Sequence, residues 1–418
     1  MRIFKRRIYM DYAAATPLEN GAEKAMRKYA RAHFGNAGSL HREGILAKNS
    51  LENAREDVAD FFTAHSDEIV FTGGGTEANN IAIQGVFAEL SYRLNGGRTS
   101  VLTEMRPPLM AGLSAYHAIT SEIEHSSVKD VFAELEKRGL AVTYVGVSSD
   151  GHIDSKAVKN ALRENTILVS IMHSNNEIGT VQPIREIAKT IRGFRKEKNE
   201  AAKIGERYPL FHTDAIQSAL YMNVRPDALG VDLLTASPAK MYGPKGVGIL
   251  YVRRGTPLAP IMYGGGQERV LRPGTENVAG AIGAAATFSL AAVRRDKESA
   301  RLYALREYFT GKIQAAFPDA VINGAGEVLP HILNVSFPGF DNEEIVLRLD
   351  AKGISCSTKR ACKSAGEEVS YVVAALGVGH YPESAVRFSM GRGTRKRDIR
   401  HTIGALKKIF SIMERAGK

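Results

Sequence analysis

Strand-like apolar runs alternate with helical patterns through the first two thirds of this chain, and that alternation limits the fold more than any other feature. The strand candidates are Glu68–Thr72, Ala118–Ser121, Ala141–Val145, Ile167–Met172, Leu210–Thr213, Val231–Thr235 and Val247–Val252. Strands separated by helix-length segments imply an α/β domain with a largely parallel sheet. A long helical stretch from Val278 to about Phe317 then leads into a second unit. That unit holds Ile332–Phe337, a helix from Asn342, Ala385–Ser389 and a basic C-terminal helix, and reads as a smaller α+β domain.

A chain of 418 residues with 44% hydrophobic and 24% charged residues has material for two domains and a sizeable core. No apolar run approaches the length of a membrane span. The basic start, Met1 to Met10, lacks the apolar stretch and small-residue cleavage site of a secretory leader. Two cysteines cannot form a disulfide framework, so a reducing, cytoplasmic setting is expected. The net charge of +11 invites acidic partners. Its basic stretches, Arg192–Lys203 and Arg392–Lys408, read as solvated faces without the aromatic interleaving of a nucleic-acid platform.

Several segments carry chemistry, each with a plainer reading beside it. Lys240, in Ser237-Pro238-Ala239-Lys240, lies between two apolar runs, where a desolvated amine can form a Schiff base; otherwise it is a lysine in a hairpin turn. Gly73-Gly74-Gly75-Thr76-Glu77-Ala78 follows a strand and opens a helix, a setting that favours phosphate. The same stretch fits the dinucleotide pattern G-x-G-x-x-A and also an ordinary tight turn, with Thr76 as a helix cap. His125 stands where a strand gives way to a helix, either stacking on a flat ring and moving protons or starting the helix. Asn175-Asn176-Glu177-Ile178-Gly179 and Asp214 each follow a strand, at the edge where α/β sheets take ligands. A carboxylate at Asp214 can pair with a protonated pyridine nitrogen or cap a helix. Arg387, a charge inside an apolar strand, suits a substrate carboxylate or a structural ion pair. Cys362 has basic neighbours that favour thiolate, whereas Cys356 reads as structural.

In this order and combination the segments resemble the NifS/IscS-type cysteine desulfurases, a class V aminotransferase group of fold type I pyridoxal phosphate enzymes. The likeness runs from Tyr9-Met10-Asp11-Tyr12-Ala13-Ala14-Ala15-Thr16-Pro17 to Gly391-Arg392. It takes in Phe34-Gly35-Asn36, Gly75-Thr76-Glu77, Asp214 with Gln217, and Tyr242-Gly243-Pro244-Lys245-Gly246. It continues through Gly264-Gly265-Gly266-Gln267-Glu268-Arg269, Gly274-Thr275, Ala361-Cys362 with Ser364, and Ser370-Tyr371-Val372.

The resemblance implies a large cofactor-binding domain over 16–295 with a mainly parallel seven-stranded sheet. It also implies a small α+β domain from 1–15 and 296–418, carrying a mobile cysteine loop and the substrate arginine. Lys240 would anchor pyridoxal 5'-phosphate and shuttle the α-proton of L-cysteine. Gly75, Thr76 and Ser237 would bind the phosphate, with Thr275 reaching it from the other subunit of a homodimer. Asp214 would pair with the ring nitrogen, Asn176 and Gln217 would contact the ring oxygen, and His125 would stack and serve acid–base steps. Arg387 with Asn36 would hold the substrate carboxylate. Cys362 would take the sulfur as a persulfide, release alanine, and pass sulfur to an acceptor in iron–sulfur cluster assembly or tRNA thiolation. No metal is assigned.

The chain departs from the family at Ala239, where a histidine ordinarily helps hold the phosphate. Losing such a contact costs about 1.5–3 kcal/mol of cofactor binding if nothing replaces it. Lys359-Arg360 replace a small Gly-Ser pair, and 96–115 and 195–208 exceed the usual length. The competing readings are another class V enzyme, such as an aminotransferase or a selenocysteine/cysteine lyase, and a degenerate non-catalytic homologue.

Overall fold

A computed structural model describes residues 7–94, 112–198, 207–358 and 369–416. Among the described residues, twelve strands form three sheets. In chain order they are β1 (Ile8–Tyr9), β2 (Ile69–Thr72), β3 (His117–Ser121), β4 (Ala141–Val145), β5 (Thr166–Ser170) and β6 (Leu210–Asp214). There follow β7 (Leu233–Ala236), β8 (Gly248–Val252), β9 (Val321–Asn323), β10 (Ile332–Ser336), β11 (Ile354–Ser355) and β12 (Ala385–Ser389). The central sheet has seven strands in the order β2-β8-β7-β6-β5-β3-β4. Its pairings are parallel except at β8, which runs antiparallel to both neighbours. The mainly parallel sheet expected from the sequence is therefore present, with one reversed strand.

Period-two alternation sends neighbouring strand residues to opposite faces, and both faces are covered. Leu233 and Leu250 pack with Ile81 and Val86 of the helix Gly75–Leu94. Leu234, Ile249 and Tyr251 pack on the other side with Ala284 and Phe288 of the helix Val278–Ala316. Burial on both sides explains why these strands read as continuous apolar runs.

Strand succession switches sides at β3. The chain leaves β3 for β4 on one flank and then crosses to β5 on the other, which opens a crevice at the carboxyl ends. Gly248 makes the neighbouring turn possible, because a Cβ there would lie 2.4 Å from the Gly74 carbonyl carbon. The second sheet, β12-β10-β9, is antiparallel and sets Arg387 opposite Asn334. The two chain ends meet: β1 pairs with β11 in parallel, and Asp11 bridges to Ser389. No described helix is long and apolar enough to cross a membrane.

The two long stretches, 96–115 and 195–208, fall largely outside the described residues, as do Cys362 and Lys359-Arg360. Cys356 follows β11 and is buried, and burial pushes its thiol well above the ordinary range. That agrees with its structural assignment.

Candidate active site

All but one of the functional side chains stand where a strand of the central sheet ends. His125 follows β3, Asn176 follows β5, Asp214 is the last residue of β6, and Ser237 and Lys240 follow β7. Gly75 and Thr76 begin the helix that follows β2. Thr76 is thus the helix's second residue and does not cap it. A short helical turn, Pro238–Lys240, lifts Lys240 toward the chain's N-terminal segment, where its Nζ donates to the Ala14 carbonyl. Arg387 reaches the same space from β12 of the smaller sheet. These eight residues, with Asp11, Ser127, Ser174, Ile216 and Tyr371, line one cavity of about 380 Å3.

The polar groups around it are fixed by named contacts. Asp214 is buried, and its Oδ1 accepts from Ile216 N at 2.9 Å while Oδ2 accepts from Asn79 Nδ2 at 2.8 Å. Burial pushes the Asp214 carboxyl up, against the opposing pull of those two donors and of the nearby His125 and Lys240. No helix starts at Asp214, so the capping role considered for it gives way to this short turn onto Ile216 N. His125 does cap a helix, accepting at Nδ1 from Ser127 N at 3.1 Å, and it lines the cavity as well. Burial pushes its imidazole down and favours the neutral ring.

Arg387 is held on two sides. Its Nη1 donates to the Asn176 carbonyl at 2.9 Å and its Nη2 to Asp11 Oδ1 at 3.0 Å, while its Nε is buried with no partner among the described residues. The ion-pair reading of Arg387 is realised, and donor capacity remains on the guanidinium. Gln217 Nε2 donates to the Ala13 carbonyl at 3.0 Å, with its Oε1 not engaged in that bond. Thr16 bonds the Ala239 carbonyl through both its amide and its hydroxyl, at 3.3 and 2.9 Å, which fixes the lysine turn.

Two expected residues stand elsewhere in the single chain. Asn36 is exposed ahead of the helix Arg42–Phe62, with its Oδ1 accepting from Gly38 N at 2.9 Å. Thr275 is exposed on the segment preceding the helix Val278–Ala316. Cys362 lies outside the described residues. Sequence reasoning gave no role to Asn79, one turn beyond Gly75 on the same helix face, although a buried amide in an otherwise apolar stripe was the available signal. Glu124 also went unassigned. It is buried beside His125, accepts from Ser121 Oγ at 2.6 Å and Met172 N at 2.8 Å, and has an Oε2 without a partner.

The donor set fits pyridoxal phosphate. A helix N-terminus with the hydroxyls of Thr76 and Ser237 suits a phosphate dianion, and Gly75 keeps that turn slim, since a Cβ there would meet Ile216 Cδ1 at 2.3 Å. Asp214 suits a protonated ring nitrogen, and the Lys240 amine suits an aldehyde carbon. Ser174 Oγ, on the same wall, is buried without a partner.

Comparison with known proteins gives the chain's family and its relatives. The family model described as aminotransferase class-V matches residues 8–106 and 114–401. A cysteine desulfurase IscS of Dictyoglomus turgidum is 41% identical over 409 residues, spanning 97% of this chain and 95% of that protein. A solved NifS-like protein superposes with a TM-score of 0.82 at 30% identity, covering 97% of this chain and all of that one. A structure of SspA in complex with cysteine matches with a TM-score of 0.73 at 32% identity, over 92% of this chain and 98% of that one.

Proposed function

The chain belongs to the class-V aminotransferase family, and from that premise we propose that it is a pyridoxal-phosphate-dependent cysteine desulfurase. Its substrate is L-cysteine, its products are L-alanine and a persulfide on Cys362. The observation that carries this reading is the convergence of Lys240, Asp214, His125, Thr76, Ser237 and Arg387 on one cavity at the carboxyl ends of the sheet.

Bound pyridoxal phosphate supplies the electron sink that makes loss of the α-proton and cleavage of the C–S bond accessible. The protein's residues do the rest. The helix N-terminus at Gly75, with Thr76 and Ser237, binds the phosphate. Asp214, whose ionised form Ile216 N and Asn79 favour against burial, would face the protonated ring nitrogen, and Asn176 and Gln217 would contact the ring oxygen. Arg387, oriented by Asp11 and the Asn176 carbonyl, grips the substrate carboxylate. Lys240 is the covalent anchor of the cofactor and then carries the α-proton. His125, neutral and with its Nδ1 occupied by Ser127 N, has Nε2 for stacking-side proton transfer. The Cys362 thiolate attacks the substrate sulfur, so the S–S bond forms as the C–S bond breaks.

The division into a large domain over 16–295 and a small domain from both chain ends is part of this proposal, supported by the pairing of β1 with β11. So is a cytoplasmic homodimer in which Thr275 of one subunit reaches the phosphate site of the other. Thr275 is exposed and away from the cavity of its own chain, as such an arrangement requires. The sulfur goes on to an acceptor protein serving iron–sulfur cluster assembly or tRNA thiolation.

Purified protein loaded with pyridoxal phosphate should lose its bound-cofactor absorbance in Lys240→Ala and should form alanine from L-cysteine under reductant. Transfer of an amino group to 2-oxo acids in place of alanine formation would overturn the assignment in favour of an aminotransferase.

A further inference from the structure

Asn79 is completely buried, and its Nδ2 lies 2.8 Å from Asp214 Oδ2 and 2.8 Å from Ser127 Oγ. An amide nitrogen has two hydrogens and no free lone pair, so both contacts are donations. An ionised Asp214, the form that would pair with a protonated ring nitrogen, only accepts and so fits that orientation. With one lone pair filled by Asn79, the Ser127 hydroxyl can turn its own hydrogen to Nδ1 of His125, 2.9 Å away. Ser127 N also points at that nitrogen, at 3.1 Å. Nδ1 therefore accepts, and a neutral ring must carry its proton on Nε2. One amide thus spans two groups brought from different strands, Asp214 from the end of β6 and His125 from beyond β3.

We propose that Asn79 is a positioning residue that ties Asp214 to His125 through Ser127, holding the carboxylate ionised and the imidazole in its Nε2–H tautomer. The proposal rests on the reading above, in which Asp214 meets the ring nitrogen of pyridoxal phosphate. Asn79 touches neither substrate nor cofactor in this scheme; it acts through both partners. The charged and titratable groups that face the pair are Lys240, which favours the ionised carboxylate, the buried Glu124 near Asp214, and Asp130 and Arg387 around His125.

Removing the amide has a signature that loss of packing does not. Without that donor the ionised form of Asp214 is less favoured, so the carboxylate protonates at a higher pH and the acid limb of cofactor binding moves upward. Packing loss weakens binding evenly across pH. The experiment titrates cofactor-free wild-type protein, Asn79→Leu and Ser127→Ala with pyridoxal phosphate across the neutral range, by absorbance. Parallel 15N NMR of the cofactor-free proteins reads the His125 ring nitrogens.

In Asn79→Leu the dissociation constant rises about tenfold, the value of one hydrogen bond to a charged group, and the acid limb shifts to higher pH. Its His125 resonances move from the single Nε2–H tautomer toward a mixture. Ser127→Ala leaves the acid limb in place. Should Asn79→Leu fail to fold, Asn79→Ser takes its place, because a short hydroxyl cannot reach both partners. Equal weakening at every pH with unchanged His125 resonances would overturn the proposal. If wild-type protein binds no pyridoxal phosphate, the reading of the cavity fails, and the NMR comparison, made without cofactor, still decides the role of Asn79.

Discussion

Arg387→Lys isolates the substrate-binding step. Two of the guanidinium's five N–H donors are engaged, on the Asn176 carbonyl at 2.9 Å and Asp11 at 3.0 Å, and its Nε has no partner among the described residues. The planar fork can therefore keep its internal contacts and still give a substrate carboxylate two parallel hydrogen bonds. A lysine ammonium placed in the same pocket is a point donor that must choose between Asp11 and the substrate. The loss is then at least one charge-assisted hydrogen bond, about 1.5–3 kcal/mol, which corresponds to a roughly 10- to 150-fold rise in KM for L-cysteine. The contact exists before and during the reaction, so kcat falls much less than KM rises. Alanine formation against L-cysteine concentration measures both constants, and the absorbance of bound cofactor serves as the control. A KM within about twofold of wild type, with cofactor bound, would show that Arg387 is only the structural partner of Asp11.

Three further perturbations test the packing around the site. Burial pushes the Glu124 carboxyl up to about 8, so the folded protein retains a proton that the unfolded chain releases near pH 4.3. Its stabilising contribution is complete below the unfolded value and declines as pH rises to about 8. Glu124→Gln, which keeps an acceptor for Ser121 and Met172 N, should flatten the decline of the urea midpoint over that window; an unchanged slope would refute it. Glu268, Arg269 and Val270 all have positive φ, of 42°, 56° and 69°. Relief of about 1–2 kcal/mol at the β-branched Val270 outweighs the entropy cost of glycine, so Val270→Gly should raise the urea midpoint by about 1 kcal/mol of stability, and a lower midpoint would contradict this. The Glu268 end of that turn is anchored by Arg55, whose Nη1 and Nη2 each reach a Glu268 oxygen at 2.7 Å in a buried pair. Arg55→Met strands the carboxylate and should cost about 3–5 kcal/mol, read from the same denaturation curves.

The inner strands of the central sheet were legible because burial on both faces writes an apolar run into them, whereas the half-buried edge strand β4 showed through its β-branched and aromatic residues. Ala141–Val145 and Ala385–Ser389 match the observed strands end to end, and the others shift by a residue or two. The apolar run of β8 did not show its reversal, since an antiparallel strand buried on both sides carries the same run as its parallel neighbours; only the hairpin reading of the Lys240 turn pointed to it. At the site, residues at strand ends were found because a ligand crevice forms there whatever the chemistry. Asn79 and Glu124 escaped because their roles come from contacts between elements distant in sequence, 135 residues apart for Asn79 and Asp214. Asp11 was only one letter within a family stretch until the fold set it against Arg387, 376 residues away.

The central claim is that sulfur leaves L-cysteine onto Cys362. A single turnover without reductant, followed by mass analysis of the cysteine-containing peptides, tests it directly. Alanine should appear in step with one added sulfur atom on the Cys362 peptide and none on Cys356, whose thiol is buried and its pKa raised. Cys362→Ser should keep its bound cofactor and form no alanine. Alanine formed at the wild-type rate by Cys362→Ser, or sulfur found on Cys356 instead, would contradict it.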